Sequence, residues 1–193
     1  MKSSVGVALA LVAFALTALT PYSRDYVAAA EPLKSGLQPG QQIDTIFEPI
    51  NLNGPFAEEP HCLVCENGRS PVAMVLARDV SEPLLKLLAR LDAACVKHET
   101  QELGSFAVFL DAREPLQEKL RAEAKRATLK KVVLSLEAEA HIPEYGAAPE
   151  AEVTVMLYVH HGVKANFAFR KGELNDAAIE QIVAALPKIL SGK

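Results

Sequence analysis

Cys62-Leu63-Val64-Cys65 sets two thiols three positions apart, and an apolar run from Pro71 to Ala77 follows them. Thiols at this spacing can close a disulfide, pass electrons by thiol–disulfide exchange, or supply half of a metal knuckle. Cys62 and Cys65 are therefore the candidates for both catalysis and a disulfide. His61 precedes the pair and, when protonated, would hold a thiolate, whereas Glu58, Glu59 and Glu66 oppose a second negative charge. A third thiol, Cys95, lies further along the chain. A bond within the Cys62-x-x-Cys65 loop stabilises little. A bond from either cysteine to Cys95 would constrain about thirty residues and contribute about 3 to 4 kcal/mol. Zinc or copper would need more ligands than the pair alone, and Cys62, Cys65, Cys95 and His61 are the metal candidates, with His98 near.

Where these groups meet depends on the elements that carry them. Val72 to Ala77 is short and continuously apolar, the pattern of a strand buried on both faces. The cysteines precede it and so belong to its N-terminal end, and no helix start is legible behind them. Ser81 suits a helix cap, and Glu82 and Pro83 suit its first turn. Leu84, Leu88, Leu91 and Cys95 then fall on one helical stripe. Residues 71–78 extended span about 26 Å, and residues 82–95 rise about 20 Å as a helix. Cys95 is thus expected back at the pole of Cys62 and Cys65, either clustered with them or, as its place on the helix stripe favours, as a buried core thiol.

Phe106 to Leu110 and Val132 to Leu136 read as further buried strands, separated by a helix that Pro115 opens and Leu116, Leu120 and Ala124 face inward. Val153 to Val159 and Val163 to Phe169 form a hairpin turned by His160, His161 and Gly162. A last helix begins near Asn175 with Ile179, Ile182, Val183 and Leu186 on one face, and Pro187 should bend or stop it. Strands separated by helices run parallel, and the hairpin adds an antiparallel pair. The order predicts an α/β three-layer sandwich with a mixed central sheet.

The chain has 193 residues, 50% of them hydrophobic, and a formal net charge of −4, which suits one domain with its own core. Lys2, the uncharged apolar stretch from Val5 to Leu19, and Ala28-Ala29-Ala30 follow the order of an export signal peptide over residues 1–30. The rival reading is an uncleaved membrane anchor, against which the apolar stretch is short for a bilayer of about 30 Å; no stable membrane insertion is expected once the signal is cleaved. Removing residues 1–30 takes out Lys2, Arg24 and Asp25 and leaves 18 basic and 23 acidic side chains, a net charge of −5. That balance argues against nucleic acid and anionic membranes as partners. A periplasmic or extracellular location permits a disulfide, and a protein partner is expected whose identity the sequence does not give. Residues 31–60 read as an extended lead-in containing one short strand candidate, Ile46 to Leu52, ahead of a domain over residues 61–190.

Two stretches, "SPVAMVLARDVSEPLLKLLARLD" and "LSLEAEAHIPEYGAAPEAEVTVMLYVHHGVKANFAFRKGEL", resemble the thioredoxin-like fold in its exported, peroxiredoxin-like form. The resemblance covers residues 46–190, and Tyr145-Gly146, Thr154 and Gly162-Val163 match in place. It implies that thiol chemistry belongs where the first core strand ends, at the start of the next helix, beside a cis-proline just ahead of the threonine. Here that turn reads Arg78-Asp79-Val80-Ser81-Glu82, without cysteine, and Val153 stands at the proline position. The usual active edge is therefore expected to be chemically silent, for oxidoreductase and peroxiredoxin chemistry alike.

The remaining polar features have ordinary readings. Ser81 reads as a cap and not a nucleophile. Lys119, Arg121, Lys125, Arg126, Lys130 and Lys131 read as a solvated face broken by Glu118 and Glu123. His160 and His161 read as turn residues. The expectation is an exported thioredoxin-fold domain, non-catalytic or only marginally redox-active, without a cofactor, whose cysteine pair serves as a disulfide away from the usual edge. Its rivals are a thiol–disulfide oxidoreductase working from Cys62 and Cys65, and a zinc or copper protein using Cys62, Cys65 and Cys95.

Overall fold

The computed structural model describes residues 32–110, 113–126 and 128–191, and the export signal read over residues 1–30 lies outside them. Strands β1 (Ile50–Asn51), β2 (Val72–Ala77), β3 (Gly104–Phe109), β4 (Val132–Leu136), β5 (Val153–Val159) and β6 (Gly162–Phe169) form one mixed sheet. Their order is β1-β4-β3-β2-β5-β6. Strands β2, β3 and β4 run parallel, while β5 lies antiparallel to β2 and β1 and β6 close the edges antiparallel. The mixed α/β sandwich read from the sequence is the architecture observed.

Strand β2 sits in the middle of the sheet, which is why all six of its residues are buried. Its side chains alternate between two separate cores. Ala73, Val75 and Ala77 pack with α2 (Glu82–Lys97), α3 (Glu114–Arg126), α4 (Asp176–Ala185) and α5 (Pro187–Leu190) on one face. Val72, Met74 and Leu76 face the other core, which contains Ile43, Phe47, Leu63, Val64, Ile142 and Tyr145. The stretch read as an extended lead-in thus supplies core residues. Phe47 meets Tyr145 edge to face at 5.1 Å, and the Tyr145 hydroxyl donates to the Thr45 carbonyl at 2.7 Å. The strand expected over Ile46 to Leu52 narrows to Ile50–Asn51, since Pro49 has no N–H to give a ladder.

Local signals mostly act as written. Asn175 Oδ1 accepts the Ala178 N–H at 3.0 Å and starts α4. Pro187 ends that helix and opens α5. Ser81 occupies the cap position of α2, but its hydroxyl makes no capping bond. Pro83 removes one of the two N–H groups that a cap side chain can reach, and the cap is lost as a hydrogen bond. In the β5–β6 hairpin His160 and His161 both take positive φ, 52° and 63°, as a two-residue turn of this hand requires. Gly162 is already paired with Val159.

Candidate functional site

The two ends of β2 define two poles. Its entry end, Val72, pairs with Gly104 and Tyr158, and its exit end, Ala77, pairs with Phe109 and Val153. Six extended residues hold the poles about 17 Å apart.

At the entry pole the cysteines are not on irregular chain, as the sequence had implied. A five-residue helix, α1 (Leu63–Asn67), follows Cys62 directly. Cys62 is the extended cap residue, and its Sγ accepts the Cys65 N–H at 3.1 Å. Leu63 and Val64 are driven into the second core, at 2% and 1% exposure. Gly68, at φ 51°, ends the helix by donating its N–H to the carbonyls of Val64 and Cys65, a left-handed turn that a side chain would strain. Asn67 Nδ2 donates to the Leu63 carbonyl at 2.7 Å. A Cβ on Gly104 would lie 1.8 Å from Asn67 Oδ1, so the glycine opening β3 is what lets α1 seat there.

Cys62 and Cys65 are joined as a disulfide, S–S 2.04 Å. Their surroundings differ. Cys62 is 8% exposed and belongs to the second core, whereas Cys65 faces solvent. His61 is committed elsewhere: its Nε2 lies 3.0 Å from Glu66 Oε2, and its ring stacks on Phe56 at 3.7 Å. Glu58 pairs with Arg121 at 2.9 Å, and that hydrogen bond holds its carboxyl below the ordinary carboxylate value. Two of the three acids flanking the pair are therefore partnered.

Cys95 returns to the entry pole, in the last turns of α2, as the chain lengths required. It lies on the opposite face of the sheet, 1% exposed among the α2, α4 and β-strand residues of the first core. Burial first, and the nearby Asp92 second, push its thiol up to about 12. The expected three-cysteine cluster does not form, because element lengths fix the pole and not the face. The metal candidates are divided accordingly, with Cys62, Cys65 and His61 on one side of the sheet and Cys95 on the other. Among the described residues no group of three or more His, Cys, Asp or Glu side chains is placed to hold a metal ion. His98 Nδ1 is bonded to Gln101 Oε1 at 2.7 Å.

The exit pole is built around Arg78, a residue that sequence reasoning did not single out. Its guanidinium forks onto both Glu139 oxygens at 2.6 and 2.7 Å. It also donates to the Ala151 carbonyl at 3.0 Å and the Ala148 carbonyl at 3.1 Å. The fork lowers the Glu139 carboxyl and raises the Arg78 guanidinium. Lys119 Nζ donates to the Val80 carbonyl at 2.8 Å and approaches Asp79 at 3.3 Å. A recess of about 370 Å³ opens here, lined by Arg78, Asp79, Arg113, Pro115, Leu116 and Lys119. Val153 begins β5 beside Ala77, and the described residues contain no cis peptide. The partners of Arg78 lie 61 to 73 positions along the chain, beyond the reach of any local pattern.

No protein-family model matches this chain, and no curated protein matches it. Solved structures do. A thiol:disulfide interchange protein from Bacteroides sp. superposes with a TM-score of 0.51 at 12% identity, covering 83% of this chain and 92% of its own. The 2-Cys peroxiredoxin of Plasmodium vivax gives 0.57 at 13% identity, with 78% and 82% covered. The exposed lipoprotein thioredoxin of Streptococcus pneumoniae strain TIGR4 gives 0.50 at 13% identity, with 72% and 98% covered. At these identities the likeness is one of fold, and the fold of this chain is thioredoxin-like. No described helix is long and apolar enough to cross a membrane.

Proposed function

We propose that this protein is an exported thioredoxin-fold domain that opens and closes its Cys62–Cys65 disulfide slowly with protein thiols, and that it does not turn over substrate at the turn between β2 and α2. One observation carries the reading: the disulfide stands at the entry pole with Cys65 facing solvent, while the exit turn, where the fold's thiol chemistry is expected, has no cysteine and an arginine spent on four acceptor oxygens. A bond that closes so short a loop adds little to stability, which leaves room for a role in exchange. The rate is low because no cation among the described residues is bonded to either sulfur, and His61 is held by Glu66. Export is supported by the signal-like N-terminus, by the disulfide itself, and by the likeness to a thioredoxin described as an exposed lipoprotein.

Insulin reduction by the wild type and Cys62→Ser tests the reading. Turnover close to the reductant's background is expected from both proteins. Robust turnover lost in the variant would make the protein a thiol–disulfide oxidoreductase working from this pair.

A further inference from the structure

We infer that exchange at this site runs through Cys65 as the attacked sulfur and Cys62 as the leaving one, so that the second cysteine of the pair carries the mixed disulfide. The inference rests on the exchange reading above and adds its direction.

A thiolate displaces one sulfur of a disulfide by attacking its neighbour along the axis of the S–S bond, so access to the far side of the attacked atom decides the outcome. Cys65 is the exposed residue of the pair, open to a partner's thiolate. Cys62 is 8% exposed and packed in the core with Leu63, Val64, Val72 and Tyr158, which shields it from the same approach. The charge that develops on the departing sulfur is also provided for on one side. Cys62 Sγ already accepts the Cys65 N–H at 3.1 Å, and a thiolate accepts such a bond more strongly than a disulfide sulfur does. The helix that supplies this N–H is held by the Asn67 bond to Leu63, by the fit of Asn67 against Gly104, and by burial of Leu63 and Val64.

The step balances with a dithiol as the reductant. The first thiolate of the partner bonds to Cys65 Sγ, the Cys62–Cys65 bond breaks, and its electron pair goes to Cys62 Sγ, which takes a proton from water. The partner's second thiolate then attacks its own sulfur in the mixed disulfide and releases Cys65 as a thiolate, which also takes a proton. Two electrons pass from the partner dithiol to the pair. In the reverse direction Cys65 attacks the disulfide of the oxidised partner, and the buried Cys62 resolves the adduct.

A labelling race on the whole protein tests this. After reduction with dithiothreitol and its removal, a sub-stoichiometric dose of iodoacetamide is followed by peptide mass mapping, with Cys95 as a buried internal reference. Label on Cys65 is expected in about tenfold excess over Cys62. In parallel, Cys62→Ser and Cys65→Ser are incubated with glutathione disulfide, and the adduct should form about tenfold faster on Cys65 of the first variant than on Cys62 of the second. Equal labelling, or an excess on Cys62, would overturn the assigned direction and leave exchange itself standing. If dithiothreitol releases no thiol from the native protein, both the direction and the reading beneath it fail. The wild-type race needs no substitution, so a variant that folds poorly does not obscure the result.

Discussion

The two poles of β2 are made from the same strand and differ in what they are built to do. The entry pole carries the disulfide, on one turn of helix held to the sheet by two buried side chains and a glycine contact. The exit pole carries a fork of charge-assisted hydrogen bonds from Arg78 that fastens the β2–α2 turn to the loop ahead of β5. In the fold this chain shares with thiol:disulfide interchange proteins, position along a strand does not dictate chemistry. The side chains placed there do. Here the disulfide closes too short a loop to add much stability, and the pole without it is committed to holding two segments together.

Substitutions should separate these roles. The largest effect is expected from Arg78→Ala, which removes four hydrogen bonds and takes the donor from the Ala151 carbonyl and the Glu139 carboxylate, while the Ala148 carbonyl keeps the Ala151 N–H. A loss of about 2 to 3 kcal/mol should appear as a lower urea midpoint, while the rate at which dithiothreitol releases thiols from the pair stays within about twofold of wild type. A large change in that rate would show that the poles are coupled. Removing the disulfide with Cys62→Ser together with Cys65→Ser should cost no more than about 2 kcal/mol, because the loop it closes is so short. A greater loss would make the bond a structural staple first.

The smallest effect is a pH dependence of the exit pole. Arg78 lowers the Glu139 carboxyl in the folded protein below its ordinary 4.5. The pair's contribution is therefore fully present above about pH 4.5 and is lost as the pH falls through the lower folded value. The stability difference between wild type and Glu139→Gln should be constant from pH 5 to 7 and shrink below about pH 4.5. Because both groups are partly exposed, the difference should also weaken in high salt.

The architecture was legible because β2, β3, β4 and β5 are apolar runs of strand length and α2 has a clear stripe of leucines. The pole of the cysteines was legible too, since lengths alone set it. The face was not. Which side of a sheet a segment crosses to is settled by packing, and neither Cys62 nor Cys95 carries a local sign of it. Helix α1 escaped notice because five residues are too few to show a period. Its only signs are Gly68 behind it and Gly104, distant in sequence. The same holds for Asp92, whose Oδ1 accepts the N–H groups of Lys130, Lys131 and Val132 at 2.9, 2.7 and 3.0 Å. In the sequence it is one more acid on a helix.

The most direct measurement is a thiol titration with mass mapping of the purified, non-reduced protein, first native and then unfolded. No rapidly reacting sulfhydryl is expected in the native state, a single one, Cys95, on unfolding, and two more, Cys62 and Cys65, after a dithiol is added. Cys95 found bonded to either of the others would contradict the separation of the sulfurs onto opposite faces of the sheet, and with it the placement of exchange at the entry pole.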